Sequence, residues 1–457
     1  MEQLNTEKIT TPKLFILSGL FLVVFGLLFG IVGAFQYIIP GLFKEYLSFE
    51  KVRPLHVSSV IFWIIITAVG GTWTYILEYT QKKIYSSILI KIQLILFVFT
   101  FIAILISYFF GVFGGREYWE FPPLLALPIV LGWVLFIINF IKTIKTIKHH
   151  PVYVWMWFTG TVFFLFTFLE SYLWIFPYFR NNVVNDMTIQ WKSYGSMVGS
   201  WNMLIYGCSI YLMDKISGNK AYARSNIAFA LYFTGLFNLM FNWGHHIYVL
   251  PTHNFIKHIS YLVSMTELFI IGRIIYKWNS TLSEAKKNFY RSSYRFLAAA
   301  DVWIFLNLLL AIMMSIPAIN LYTHGTHITV AHTMGTTIGI NTMLLLAIAY
   351  ETLSNSCISF EPYKKLMKSG YWIANFSLFI FWISLIIAGI LKSKWQMSTE
   401  QIPFAEMKEM LKPYFYSFLI AGTVLATGLI MVIYPLVKNQ VLCILNTEGK
   451  QIEKTEL

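Results

Sequence analysis

Charge is what this sequence has least of. Only 12% of its 457 residues are Asp, Glu, Lys or Arg, against 57% hydrophobic and 18% aromatic. A water-soluble fold has too little interior to hide so much apolar surface, so lipid is the solvent for most of the chain. Cysteine is scarce too. Cys208, Cys357 and Cys443 form no CxxC or CxxCH pair, which excludes a disulfide framework and a covalently attached haem. No repeat, low-complexity tract or long linker is present, and the first thirteen residues are polar, unlike a cleavable signal. Histidine is missing from the whole stretch 151–244.

What is there is a series of apolar runs, at roughly 14–39, 54–79, 86–111, 122–147, 153–177, 191–213, 224–250, 256–277, 293–317, 326–353, 370–391 and 412–437. Each reaches the ~20 helical residues that a ~30 Å hydrocarbon layer requires. The expectation is an all-α integral membrane protein of twelve transmembrane helices. It forms one domain over 1–457, with short tails at about 1–13 and 438–457. Lys and Arg concentrate on alternate loops, most densely at Lys286, Lys287, Arg291 and Arg295, which places both termini in the cytoplasm. The net charge of +13 is dispersed over loops and implies no nucleic-acid partner.

Histidine placement carries the chemistry. His149 and His150 follow lysines in a loop and read as solvated. His56, His245, His246 and His332 come from three spans at similar depth, toward the outer leaflet. Polar side chains are costly there and usually mark function. Neutral imidazole is a preferred ligand of iron, copper and zinc, so their convergence implies a metal or haem site. In "THGTHITVAHTMG", residues 323–335, His332 and Met334 are two apart and differ by about 200° around a helix. One helix can thus serve two cofactors on opposite flanks, and haem iron accepts either His or Met. The adjacent pair His245–His246 can reach one ion only if the helix bends, which the neighbouring Gly244 and Pro251 permit.

These stretches resemble the catalytic subunit of the haem–copper oxidase superfamily, and within it the nitric oxide reductase large subunit, over essentially the whole chain. "INLYTHGTHITVAHTMG" is similar to the segment holding the active-site haem, which implies His332 as its proximal ligand. "RPLHVSSVIFW" resembles the segment whose histidine binds the low-spin haem, implying His56. "NWGHHIYVLP" implies His245 and His246 as ligands of a non-haem Fe or Cu. "SMTEL" implies Glu267 as the buried carboxylate near that metal. "FGGREYWEFPP" implies Glu117 as a ligand of a Ca2+ ion beside the haem propionates, with Arg53 and Arg116 available to the same anions.

The chain departs from that family twice. Met334 stands where the second low-spin haem ligand is a histidine. Aligning "SWNMLIYGCSIYLMDKISG" with the family's sixth helix puts Tyr194 at the third metal histidine and Val198 at a catalytic glutamate; a shifted match puts Ser196 there. Glu267, Tyr194 or water would have to complete the metal site. The resemblance implies two haems b and reduction of NO to N2O in a bacterial inner membrane. Electrons would come from a small membrane-anchored cytochrome c subunit on the outer face. An O2 reductase of the cbb type is the alternative, since "YGS" at 194–196 keeps two residues of its Tyr-Gly-His run. A non-catalytic haem protein for electron relay or gas sensing is the reading from another class. Glu170 and Glu351 are open between proton relay and structural pairing.

Overall fold

The computed structural model describes residues 10–289, 291–354, 361–399 and 402–453; Cys357 lies outside them. Among the described residues the only extended pairing is an isolated bridge between Arg116 and Trp119. Everything else regular is helical. In chain order the α-helices are α1 (Thr11–Ile38), α2 (Phe49–Thr80), α3 (Ser87–Phe109), α4 (Ala126–Ile144), α5 (Val152–Glu170), the single turn α6 (Pro177–Arg180), and α7 (Val183–Ser217). Then come α8 (Asn226–Phe241), α9 (Asn254–Met265), α10 (Glu267–Asn288), α11 (Ser292–Ser315), α12 (Pro317–Thr323), α13 (His327–Met334), α14 (Met343–Leu353), α15 (Lys364–Met397) and α16 (Phe404–Glu453).

Eleven spans among the described residues are long and apolar enough to cross a membrane. The twelfth expected span corresponds to α7, 35 residues long, which carries Asp186, Lys192, Asp214 and Lys215 toward its ends and several Ser, Gly and Asn residues between them. Its charges are largely paired. Asp186 accepts from Arg116 at 2.8 Å, Lys192 pairs with Glu170, and Lys215 reaches Glu78 at 2.9 Å. Pairing lowers the cost of charge near lipid, so a polar helix can stand among apolar ones. Glu170 and Glu351 are both engaged in this way. Glu351 is buried between Arg291 at 2.5 Å, Lys215 at 3.6 Å and the Ser293 hydroxyl at 2.9 Å.

Helix starts follow local chemistry. Ser86, Asn182, Ser225 and Thr326 each accept from a backbone N–H of the first turn of α3, α7, α8 and α13, where those donors have no intrahelical partner. Several boundaries differ from the sequence expectation. The run 224–250 is α-helical only to Phe241 and then tightens to a 3₁₀ turn, Asn242–Ile247. The run 256–277 breaks at Thr266 between α9 and α10, and α10 continues to Asn288. The run 326–353 is α13, a π-helical stretch Gly335–Thr342, and α14. The expected tail from 438 is instead helical to Glu453, as the end of α16.

One hydrophobic core runs through α1–α5, α7, α8, α11 and α13–α16, centred on wholly buried Trp63, Trp73, Trp133 and Trp157. Small residues let helices meet where lipid gives no hydrophobic drive for association. A Cβ at Gly428 would lie 2.7 Å from the Ala374 nitrogen and 3.0 Å from the Gly370 oxygen. Both are backbone atoms of α15, so α15 and α16 would have to separate. Gly428→Ala should therefore destabilise the protein by about 1–3 kcal/mol, read as a lower unfolding temperature in detergent; an unchanged melt would contradict the close approach.

Candidate functional site

His56 and His332 come from different spans. On α2, His56 Nδ1 lies 2.7 Å from the Gly26 carbonyl of α1. A carbonyl only accepts, so the ring proton is on Nδ1 and Nε2 keeps a free lone pair. α2 is tied to the span bearing His332 by Trp63 Nε1, which donates to Thr342 Oγ1 at 3.2 Å. His332 is near the end of α13, and Met334, at its last residue, is part-buried against the main core. Beyond it the π-helical stretch is supported by hydroxyls. Thr336 donates to the His332 carbonyl at 3.1 Å, Thr337 to Thr333 at 2.8 Å and Thr342 to Thr337 at 2.8 Å. Asn307 of α11 donates to Thr336 Oγ1 at 2.8 Å. Such π turns in helices recur at functional positions.

The 3₁₀ turn presents His245 and His246 side by side, ring centres 4.2 Å apart and tilted by 43°. An amide relay orients the first. Asn242 Nδ2 donates to Glu267 Oε1 at 3.1 Å and to Asn238 Oδ1 at 2.9 Å. Its Oδ1 accepts from Ser264 at 2.5 Å and lies 2.7 Å from His245 Nδ1. With both amide protons directed at acceptors, the oxygen must face the ring, so His245 is protonated on Nδ1 and Nε2 is free to ligate. Glu267 is buried at the break between α9 and α10, and its Oε2 has no partner. His246 is covered by Trp191 of α7, whose ring stacks at 4.6 Å and 8°. His246 Nδ1 is also buried without a partner.

The His324 ring centre lies 6.1 Å from that of His246. His56, His245, His246 and His332 are each half-buried. Tyr194 is turned elsewhere: its ring meets Tyr118, in the loop between α3 and α4, edge-on at 5.4 Å. Among the described residues no three His, Cys, Asp or Glu side chains are already gathered around one point.

The loop between α3 and α4 gathers opposite charges. Arg53 bridges Glu117 at 2.5 Å and Glu120 at 2.7 Å, so arginine holds the carboxylates a calcium ion would use. Arg116 pairs with Asp186 and lies 5.0 Å over the Trp174 ring. Burial pushes the Glu120 carboxyl above its ordinary range, and Arg53 pulls it back. Burial, with Glu117 beside it, pushes the Tyr118 phenol up to about 12.

Three participants escaped sequence reasoning. Glu120 stands in the same loop motif as Glu117 and is the more buried of the two. Asn242 precedes His245 by three residues, the spacing of one 3₁₀ turn, and was legible in principle. Trp191 carries no sequence signal of its own, since tryptophan is frequent along this chain; only the packing of α7 on the 3₁₀ turn sets it against His246.

The donor set fits the groups these patterns suggest: the His56 and His245 imidazoles with Nε2 free, the Met334 thioether, and an orphaned ring nitrogen on His246. A many-span helical membrane bundle lined in this way is that of a haem-carrying respiratory subunit. The model of cytochrome c and quinol oxidase polypeptide I matches residues 11–424, and the chain belongs to that family, as a subunit I membrane protein of the haem–copper oxidase superfamily. It is 21% identical to a nitric oxide reductase chain of Stutzerimonas stutzeri over 94% of this chain and 95% of that one. It is 24% identical to a cytochrome c oxidase subunit 1 homolog of Agrobacterium tumefaciens (strain T37), over 92% and 81%. A Cbb3-type cytochrome c oxidase subunit of Stutzerimonas stutzeri is 22% identical over 85% of each chain. The fold matches a haem–copper terminal oxidase solved as a dimer by cryo-EM, with a TM-score of 0.70 at 17% identity over 94% and 84%.

Asn242→Ala removes the group that orients His245 and should weaken retention of a non-haem metal roughly 10–100-fold, read by metal analysis of the purified chain. Met334→Ala should abolish the low-spin haem absorption and leave the other haem in place; an unchanged spectrum rejects thioether ligation.

Proposed function

We propose that this chain is the catalytic subunit of a bacterial inner-membrane terminal oxidase, with both termini cytoplasmic. It takes electrons from a cytochrome c subunit on the outer face and reduces O2 to water. The observation that carries the reading is the adjacent His245–His246 pair, ring centres 4.2 Å apart, oriented through Asn242 by the buried Glu267. His56 and Met334 would hold a low-spin haem and His332 a second haem; His245 and His246 would hold a non-haem ion. Those groups, when bound, supply the redox chemistry. The protein's part is to hold the His56 and His245 imidazoles in the tautomer with Nε2 free to ligate, which Gly26 and Asn242 do, and to hold anionic propionates near Arg53. Glu267 acts through Asn242 as a positioning carboxylate, with Oε2 left to accept or deliver a proton.

Dioxygen is preferred over NO because Val198 stands where the reductases have their catalytic glutamate, and because two relatives and the structural match are named as oxidases. A specific observation favours the second reading, NO reduction to N2O. Glu267 is buried and linked to His245, as the reductase-like "SMTEL" segment implies, and the Stutzerimonas reductase aligns over nearly its full length.

Electrode measurements on the purified chain, reduced through cytochrome c, decide between them. O2 uptake, abolished in His332→Ala, is expected. NO uptake without O2 uptake would reassign the substrate. Neither uptake in a protein with intact haem spectra would leave electron relay or gas sensing.

A further inference from the structure

Far from the histidines, Arg295, Lys365 and Lys368 stand at one end of the seam between α11 and α15, and among the described residues no carboxylate pairs with any of them. We propose that this end of the seam binds the headgroup of an anionic phospholipid, with one acyl chain laid along α15 into the groove between α15 and α16.

Charge is the first ground. Arg295 is half-buried near the start of α11. Its Nε donates to the Phe289 carbonyl at 2.6 Å, and its guanidinium lies 5.2 Å over the Phe289 ring. Those contacts hold the plane of the fork and leave its two terminal nitrogens to an outside acceptor. Arg291, by contrast, is committed to Glu351. Phe289 meets the Trp372 ring of α15 at 6.4 Å, one turn beyond Lys368, and both lysines are exposed. Cations between helix ends at a membrane surface attract anionic headgroups, and a guanidinium fork matches a phosphate. A zwitterionic headgroup would add a fourth cation to these three.

The second ground is a stripe. At 100° per residue, Lys365, Lys368, Trp372, Phe376 and Phe379 fall within about 80° of one direction on α15. Trp372, Phe376 and Phe379 are 41%, 64% and 44% exposed, and Trp372 stacks on Phe376 at 5.7 Å. Cation, indole, then phenyl is the order in which a chain entering the bilayer meets headgroup, interface and hydrocarbon.

The stripe ends in a space. Phe379 opens a groove of about 430 Å³, walled by Ile380 and Ile383 and by Pro413 and Tyr414 of α16. Ser384 and Ser417 line it too and bond to each other at 2.8 Å, so they make no polar demand on an occupant. Phe379 lies about 17 Å along the helix from Lys368, against ~15 Å for half of a ~30 Å hydrocarbon layer. An acyl chain whose headgroup sits at Arg295 and Lys368 has the length to reach it.

The test is lipid binding by the full-length protein purified from membranes and stripped of lipid in detergent. It is titrated with phosphatidylglycerol, with phosphatidylcholine of the same chains, and with glycerol phosphate, and bound molecules are counted by native mass spectrometry. Phosphatidylglycerol should bind roughly fivefold or more tightly than phosphatidylcholine, and glycerol phosphate should not bind in the same range. Arg295→Gln, and Lys365→Gln with Lys368→Gln, should each weaken phosphatidylglycerol by roughly fivefold or more. Ile383→Trp, which fills the groove, should weaken both lipids. Lys82→Gln with Lys83→Gln, which removes equal charge from the α2–α3 loop, should change nothing. Equal binding of the two lipids, or an equal loss in the loop control, overturns the site. Tight binding of glycerol phosphate overturns the lipid and leaves a phosphate-ester site. Unchanged affinity in Ile383→Trp overturns the place of the chain. If Arg295→Gln lowers the melting temperature, the exposed lysine pair decides alone, and a retained preference for phosphatidylglycerol there overturns the proposal.

Discussion

An imidazole buried in a lipid-embedded bundle is costly unless its ring proton meets an acceptor. That constraint organises the site. His56 gives its proton to the Gly26 carbonyl across the α1–α2 contact, and His245 gives its own to Asn242. Each bond fixes a tautomer and turns Nε2 inward, so a hydrogen bond of ordinary structural kind decides what the ring can ligate. The Asn242 amide is in turn oriented by Glu267, Asn238 and Ser264, which makes the orientation of one metal-capable nitrogen depend on α8, α9 and α10 together.

Charge in the membrane follows the same rule of completion. α7 tolerates Asp186, Lys192 and Lys215 because each meets an opposite charge on another segment. Glu351 is held by Arg291, Lys215 and Ser293 at the end of α14. Removing one member of such a group leaves the others with an uncompensated charge, which costs more than the pair itself contributes. These pairings tie α7 to α2, α5 and the α3–α4 loop.

Much of this was legible in the sequence. Run length and composition are averages over ~20 residues, so the spans could be read without knowing any contact. The four deep histidines were readable because imidazole in lipid is expensive whatever surrounds it. Pairings over long separations were not readable. Arg53 with Glu117 and Glu120 joins residues more than sixty positions apart, and Trp191 with His246 more than fifty. Neither has a periodic signature. Tyr194 shows the limit of placing residues by alignment register: register sets it beside the metal pair, and its ring faces Tyr118. A helix residue's direction changes by about 100° per step, so register alone fixes depth and leaves azimuth to packing.

The backbone irregularities fall where the candidate ligands are. The 3₁₀ turn Asn242–Ile247 carries the histidine pair, the break at Thr266 precedes Glu267, and the π-helical stretch Gly335–Thr342 follows Met334. Irregular helix in a membrane leaves carbonyls and N–H groups unpaired, and is tolerated only where protein groups take their place. Here Ser260 donates to the Asn242 carbonyl at 3.2 Å, Thr266 to the Val263 carbonyl at 2.6 Å, and Thr336, Thr337 and Thr342 serve the π stretch. The hydroxyl-rich composition of "HTMGTTIGINT" is therefore the condition for bending a helix in lipid.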